Sequence, residues 1–404
     1  MEKLTLSGVA LFALVVPFIM TYGIGLGVTP YWLFGIIFAL LLGYLVFSKL
    51  RSILLWLVII LVIGSASVST IIVRHQTAPV YGVHDIILQL ESAVQFFLHG
   101  QNPYATTYFG TPLEQWYYSD TQTNPALFHF VMMPWYLLFS LPFYFLAMPF
   151  LGYFDGRIPL AALFGMLLVL AWRLLRRNQE QQRLFLILLA FNPATLGYFL
   201  EGRSDIFAFT FLFGAWFMLE KGRYFLAGIP LALAFATKQS IWPIFPFYLV
   251  FLWWASGKKL MATARNFLSF VVVFGLVVGP FFIWDPKAFW ESTVLYLSGA
   301  ALNSYPISGY GWGMVLNQLG IIKNLTVYYP FWIWQAAVGL PLALFLIRWL
   351  ARRPSVSRLI ICYGVFTFVF WYFSRYFNNS HLAYLSTVFI TAYFWPSDGG
   401  LKIK

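Results

Sequence analysis

The sequence predicts an all-α, polytopic membrane protein with roughly 12 to 14 transmembrane helices, and three observations carry that prediction. Of 404 residues, 61% are hydrophobic and only 9% charged, against about 25% charged in an ordinary soluble domain. Apolar runs recur from Leu6 onward to Trp395, roughly 15 to 25 residues each, long enough or nearly so for a hydrocarbon core about 30 Å thick. The net charge of +12 comes from basic residues that punctuate these runs. They set topology and meet anionic headgroups, and are not clustered on a face for nucleic acid. No soluble domain is left over, so residues 1–404 are expected to form a single transmembrane domain.

In chain order, the run over residues 7–28 follows Glu2 and Lys3. It is too long for a signal peptide and lacks a small-residue cleavage site, so it is expected to be retained. With the run over 31–47 it makes an N-terminal hairpin, residues 1–52. Short basic connections then mark the cytoplasmic side: Lys49 with Arg51, residues 173–183 with Arg176 and Arg177, Lys221 with Arg223, Lys258 with Lys259, residues 348–358, and Lys402 with Lys404. The intervening connections, 74–124, 155–157, 201–205, 238–240, 285–323 and 374–381, are expected to face outward, with both termini inside. Residues 124–156 must begin and end outside in only about 32 residues. They are expected to divide between Leu141 and Pro142 into two short helices, Pro142 starting the second, or else to form a re-entrant hairpin. Cys362, the only cysteine, lies in an apolar run and is expected to be core packing.

On this topology 18 of the 25 Lys and Arg face inward, whereas nine of the 13 acids and all five histidines, His75, His84, His99, His129 and His381, face outward. The acids did not define the topology, so their segregation predicts a working polar surface on the outer side. Residues 85–99 mix apolar residues with Gln89, Glu91 and Gln95 and read as a short interfacial helix. Gly100 stops it, and Asn102, Pro103 and Tyr104 form a turn. Asp85 then occupies the first turn, where it is either a helix cap or a general base at the bilayer rim. Glu91, a little under two turns further on, faces elsewhere.

The order of "GQNPY", "TNPALFHFVMMPWYLLFSLP", "FNPATLGYFLEGRSDIFAF" and "GIPLALAFATKQSIWPIFPF" after a membrane-exit Asp resembles the GT-C glycosyltransferases. Among them it is most similar to the polyprenol-phosphate-mannose-dependent family that includes the mycobacterial phosphatidylinositol mannoside mannosyltransferases. The likeness spans residues 53–251, about half the chain. It implies a GT-C fold with a catalytic module over 53–256 and C-terminal helices over 257–404. It also implies inverting transfer of one sugar, mannose or another hexose or pentose, from a polyprenyl-phosphate donor to a hydroxyl of a lipid-linked or cell-envelope glycan acceptor outside the cytoplasm. The first-loop aspartate acts as base in that family, and Asp85 matches it. The chain departs from the pattern in its two extra N-terminal runs.

Around Asp85 the candidate substrate-binding residues are His84, Glu91, Asn102, Tyr104 and His129, then Glu201, Arg203 and Asp205, then Lys238 and Gln239, and last Arg375, Asn379 and His381. A phosphodiester that leaves as a phosphate needs cationic donors. Arg203, Lys238, Arg375 and His381 are the outward candidates, against the simpler readings of an Asp205–Lys238 ion pair and an ordinary hairpin turn at 374–381. Aromatics in residues 285–323 either stack on sugars or anchor the interface. No zinc spacing or acid cluster is evident, so no metal or other cofactor is expected. The expected partners are the lipid-linked donor, the acceptor and membrane lipids, in a plasma-membrane location. The alternative is a polytopic lipid or sugar transporter, which predicts internal repeats and ionisable residues near the midplane. A non-catalytic assembly subunit would leave the outer acids without a task.

Overall fold

In the computed structural model, which describes residues 5–22, 30–175 and 178–396, regular structure is almost wholly helical. Arg176, Arg177, Lys402 and Lys404 lie outside the described residues. The chain opens with a hairpin, α1 (Leu6–Tyr22) and α2 (Tyr31–Val46), followed by α3 (Arg51–Thr77) and the short α4 (Asp85–Leu98). Then come α5 (Pro134–Leu151), α6 (Arg157–Leu174), α7 (Gln179–Ala190), α8 (Leu196–Glu201), α9 (Asp205–Glu220), α10 (Tyr224–Phe235), α11 (Phe245–Ala255) and α12 (Leu260–Trp284). A second long connection carries α13 (Pro286–Trp290), α14 (Tyr296–Ser298), strand β1 (Ser308–Gly309) and α15 (Trp312–Gln318). The chain closes with α16 (Phe331–Arg352), α17 (Val356–Tyr372), strand β2 (Tyr376–Phe377) and α18 (Asn379–Phe394).

Among the described residues, five helices are long and apolar enough to cross a membrane: α3 with its leading turn, α5, α6, α12 and α16. Shorter apolar helices, among them α10 and α17, pack beside them. α12 and α16 bury only 22% and 17% of their most apolar windows. Side chains such as Leu276, Ile283, Leu340 and Phe345 are turned outward. Apolar surface on that scale is stable against lipid and not against water.

One helix departs from expectation. Residues 134–151 form a single helix through Pro142, not two short ones. Its start is tied to the end of α10, where the Met133 and Trp135 N–H groups donate to the Thr237 and Ala236 carbonyls (3.1 and 2.7 Å). Its far end turns at Gly152, with φ of +75°, a backbone glycine adopts without strain. There it meets Asp155, which is bonded to Arg74 at the end of α3. α10 and α3 end on the same face of the bundle, so α5 lies across that face. Trp135, Tyr136 and Phe139 pack edge-on against Phe207 and Phe211 near the start of α9, and the helix continues although Pro142 removes one backbone bond.

The same face is pinned by a buried ion network. Arg74, 1% exposed, donates to both oxygens of Glu91 (2.7 and 2.7 Å), to Asp155 Oδ2 (2.9 Å) and to the Pro79 carbonyl (2.6 Å). Asp155, fully buried, also takes two bonds from Arg157 (2.9 and 2.7 Å), which reaches on to the Leu200 and Thr70 carbonyls. Burial penalises the Asp155 carboxylate, but Arg157, His75 and Arg74 outweigh that and hold it far below the usual carboxylate range. Removing one partner of a buried pair strands the other charge and costs about 3–5 kcal/mol. Arg74→Ala is therefore expected to destabilise the protein by that amount, read as a lowered unfolding temperature in detergent, with Glu91→Gln lower by a smaller step. Unchanged unfolding of both variants would show that the network holds nothing together.

Candidate functional site

The polar helix ends converge on one cavity of about 780 Å³. Its rim is built by the start of α4, the turn between α8 and α9, the connection from α10 to α11, the second long connection and the turn between α17 and α18. His84 and Asp85 stand on one side, and Arg203, Asp205, Lys238, Arg375 and His381 complete the polar lining. Trp242, from the short helical segment over residues 239–244, and Phe366, Phe370 and Trp371, from α17, make an aromatic wall in the same lining.

Local sequence explains where α4 begins. His84 is extended (φ −78°, ψ 149°) and is the residue just before the helix, and its N–H donates to the Glu201 carbonyl (2.8 Å), tying α4 to the end of α8. Asp85, 4% exposed, places Oδ1 2.6 Å from His84 Nδ1, and its Oδ2 accepts the Tyr305 hydroxyl at 2.6 Å. Burial alone would raise this carboxyl, but the adjacent His84, then Tyr305 and the Ile86 N–H, hold it down to about 2. Asp85 is thus anionic at any physiological pH. Tyr305 approaches from 220 residues away in sequence, and burial next to Asp85 pushes its hydroxyl well up, keeping it a donor.

The cations differ in how far they are committed. Lys238 Nζ pairs with Asp205 Oδ1 at 2.6 Å, the simpler of its two expected readings. Arg203 lies over the Tyr198 ring (4.2 Å) and reaches Glu201 at 3.2 Å, a partner that is itself half-exposed. Arg375 is buried with no carboxylate in ion-pair distance among the described residues. It donates to the carbonyls of Tyr305, Val327 and Thr326. A side chain at Gly299, whose φ is +84°, would collide with that guanidinium. The parallel pairing of β1 with β2 fastens the same connection to the turn that carries Arg375.

Six expected substrate contacts are placed outside the lining. Glu91 belongs to the Arg74 network, since a carboxylate beside a buried guanidinium is satisfied there. Asn102 Oδ1 accepts the Tyr104 N–H (3.0 Å) in a turn, and the Tyr104 hydroxyl donates to the Met132 carbonyl (2.8 Å), so both are scaffold within the first loop. His129 Nε2 bonds the Leu302 carbonyl (2.8 Å) and joins the two long connections. Glu201 contributes its backbone carbonyl and its pair with Arg203. Asn379 only begins α18, where Asn378 is the cap. Gln239 does line the cavity, but its amide donates to the Val131 and Thr293 carbonyls (3.0 and 3.0 Å), a strut between segments. His381 lines it with Nδ1 engaged by Asn378 in the helix cap. Tyr305 and Tyr118, whose rings lie 5.7 Å apart beside Asp85, were not singled out from the sequence; in a chain that is 21% aromatic no local signal sets them apart.

Among the described residues no group of three or more His, Cys, Asp or Glu could hold a metal ion. Comparison with protein-family models, with curated proteins and with solved structures found no match to this chain.

Because the Asp85 carboxyl is lowered from 3.8 to about 2, its contacts stabilise the fold above about pH 4 and lose that contribution as pH falls towards about 2. Tyr305→Phe removes one of those contacts, a hydrogen bond to a charged group worth about 1.5–3 kcal/mol. Thermal unfolding of Tyr305→Phe is expected to start lower at neutral pH, with the gap to the wild type closing as pH falls from about 4 towards about 2. Superposable pH curves would mean that Tyr305 does not support the carboxylate.

Proposed function

We propose that the chain is an integral membrane glycosyltransferase that moves one sugar, mannose or a related hexose or pentose, from a polyprenyl-phosphate donor to a hydroxyl of a lipid-linked or cell-envelope glycan, with inversion and outside the cytoplasm. The observation that carries this reading is the charge and shape of the cavity. Its lining holds three permanent cations, Arg203, Lys238 and Arg375, against two carboxylates, Asp85 and Asp205, an excess of one positive charge that suits one phosphodiester. The aromatic wall beside that charge suits an isoprenoid chain, and the His84–Asp85 pair opposite is a proton acceptor for an attacking hydroxyl.

In this reading the donor phosphate lies among Arg203, Lys238 and Arg375, which meet the charge that grows as the sugar–phosphate bond breaks. The acceptor hydroxyl attacks from the His84 and Asp85 side, and the low-dielectric wall excludes competing water. The arrangement also speaks against a transporter, whose ionisable groups belong at mid-depth between repeats. Here they gather at helix ends on one face. That face is the extracytoplasmic one in the proposed orientation, with α1, α2, α3, α6, α7 with α8, α9, α10, α11, α12, α16, α17 and α18 as the crossing elements of a GT-C fold and both termini inside.

Two measurements test this. Arg203 is the cation least needed for folding, so Arg203→Ala is expected to fold normally and to weaken binding of a polyprenyl phosphosugar by about 10- to 100-fold, the scale of a lost charge-assisted hydrogen bond; unchanged binding would take Arg203 out of the site. In a Cys362→Ala background, cysteines at the exposed positions Asp120 and Asn303 should react with an impermeant maleimide from outside intact cells, and one at Lys259 only after permeabilisation. The reverse pattern would place the cavity on the cytoplasmic face.

A further inference from the structure

We infer that the atom receiving the acceptor's proton is Nε2 of His84, and that Asp85 is the positioning residue that orients the imidazole. The inference rests on the transferase reading above and assigns a step within it.

Both Asp85 oxygens are already occupied, Oδ1 by His84 at 2.6 Å and Oδ2 by the Tyr305 hydroxyl at 2.6 Å. The carboxylate side chain is 6% exposed, whereas that of His84 is 26% exposed, and both line the cavity. A substrate hydroxyl therefore meets the imidazole more readily than the acid. His84 Nδ1 lies 2.6 Å from the carboxylate and 3.3 Å from the Ile86 N–H. It cannot donate to the first and accept from the second, and the short, charge-assisted contact decides. The proton then sits on Nδ1 and the lone pair on Nε2, which has no hydrogen-bond partner among the described residues. Tyr305 holds the carboxylate from behind, and the Trp116 ring, 6.1 Å from that of His84, flanks the imidazole.

The step balances without a further reactant. The acceptor oxygen bonds to the anomeric carbon while its proton passes to His84 Nε2. The bond from the anomeric carbon to the phosphate oxygen breaks, and its electron pair leaves with the polyprenyl phosphate. The imidazolium so formed faces the Asp85 carboxylate, which stabilises it as in other carboxylate–histidine pairs, and its proton returns to water once product departs. Arg203, Asp205, Lys238 and Arg375 are the other charged groups lining the same cavity.

Asp85→Asn does not separate the two assignments, since an amide would also favour the wrong imidazole tautomer. His84→Gln and His84→Ala do. Purified wild-type and variant proteins in proteoliposomes receive a panel of radiolabelled polyprenyl phosphosugars, with native lipid extract as acceptor. For His84→Gln, turnover is expected to fall by about two to four orders of magnitude, the usual worth of a general base, while donor binding and thermal unfolding stay near wild type. Added imidazole is expected to restore part of the His84→Ala turnover saturably, which a purely structural role would not allow. Turnover of His84→Gln close to wild type, or a His84→Ala protein on which imidazole has no effect, overturns the assignment and returns the proton to Asp85. Absence of transfer by the wild type from every donor overturns the transferase reading, and this assignment with it.

Discussion

The Arg74 guanidinium is the constraint on which the rest of this structure depends. It ends α3, yet it is bonded to Glu91 on α4, to Asp155 ahead of α6 and to the Pro79 carbonyl. With Arg157 the cluster holds two permanent positive and two negative charges, so it is balanced in a place where an unpaired charge is expensive. Taken one by one, such pairs are weak sources of stability. What the network gives is geometry: α4 can lie in only one way, and its first turn is delivered to the cavity.

The opposite wall is held by different means. Among the described residues the second long connection has no buried ion pair to fix it, and its hold on the bundle is made of directional bonds to backbone carbonyls. Arg375 supplies several of these, β1 and β2 supply a short ladder, and His129 and Gln239 supply bridges from the first loop and from the α10–α11 connection. Tyr305 closes the circuit by touching Asp85 itself. Residues expected to meet substrate thus include several that hold the walls apart, and a wall residue is as necessary to the cavity as one that lines it.

The bundle around the site is built for lipid. α12 and α16 leave most of their apolar surface unburied, while charge is gathered at helix ends where water or headgroups can reach it. α5 lies across the bundle end with Phe145, Leu146 and Phe150 exposed.

The sequence by itself determined the membrane class, the helix-rich architecture, the start of α4 at Asp85 and the gathering of Asp85, Arg203, Asp205, Lys238, Arg375 and His381 at one end. These follow from hydropathy, capping and the placement of charges, all of which are read within a few residues of the chain. Only the tertiary structure decided that Glu91 pairs with Arg74, that α5 runs unbroken across the bundle end, and that Tyr305 supports the carboxylate. Each depends on a partner brought from elsewhere: Arg74 lies 17 residues from Glu91 and 81 from Asp155, and Tyr305 lies 220 from Asp85. No local pattern encodes such a meeting. Pro142 shows the same limit, for its preference to start a helix is a local term, and α5 runs through it unbroken.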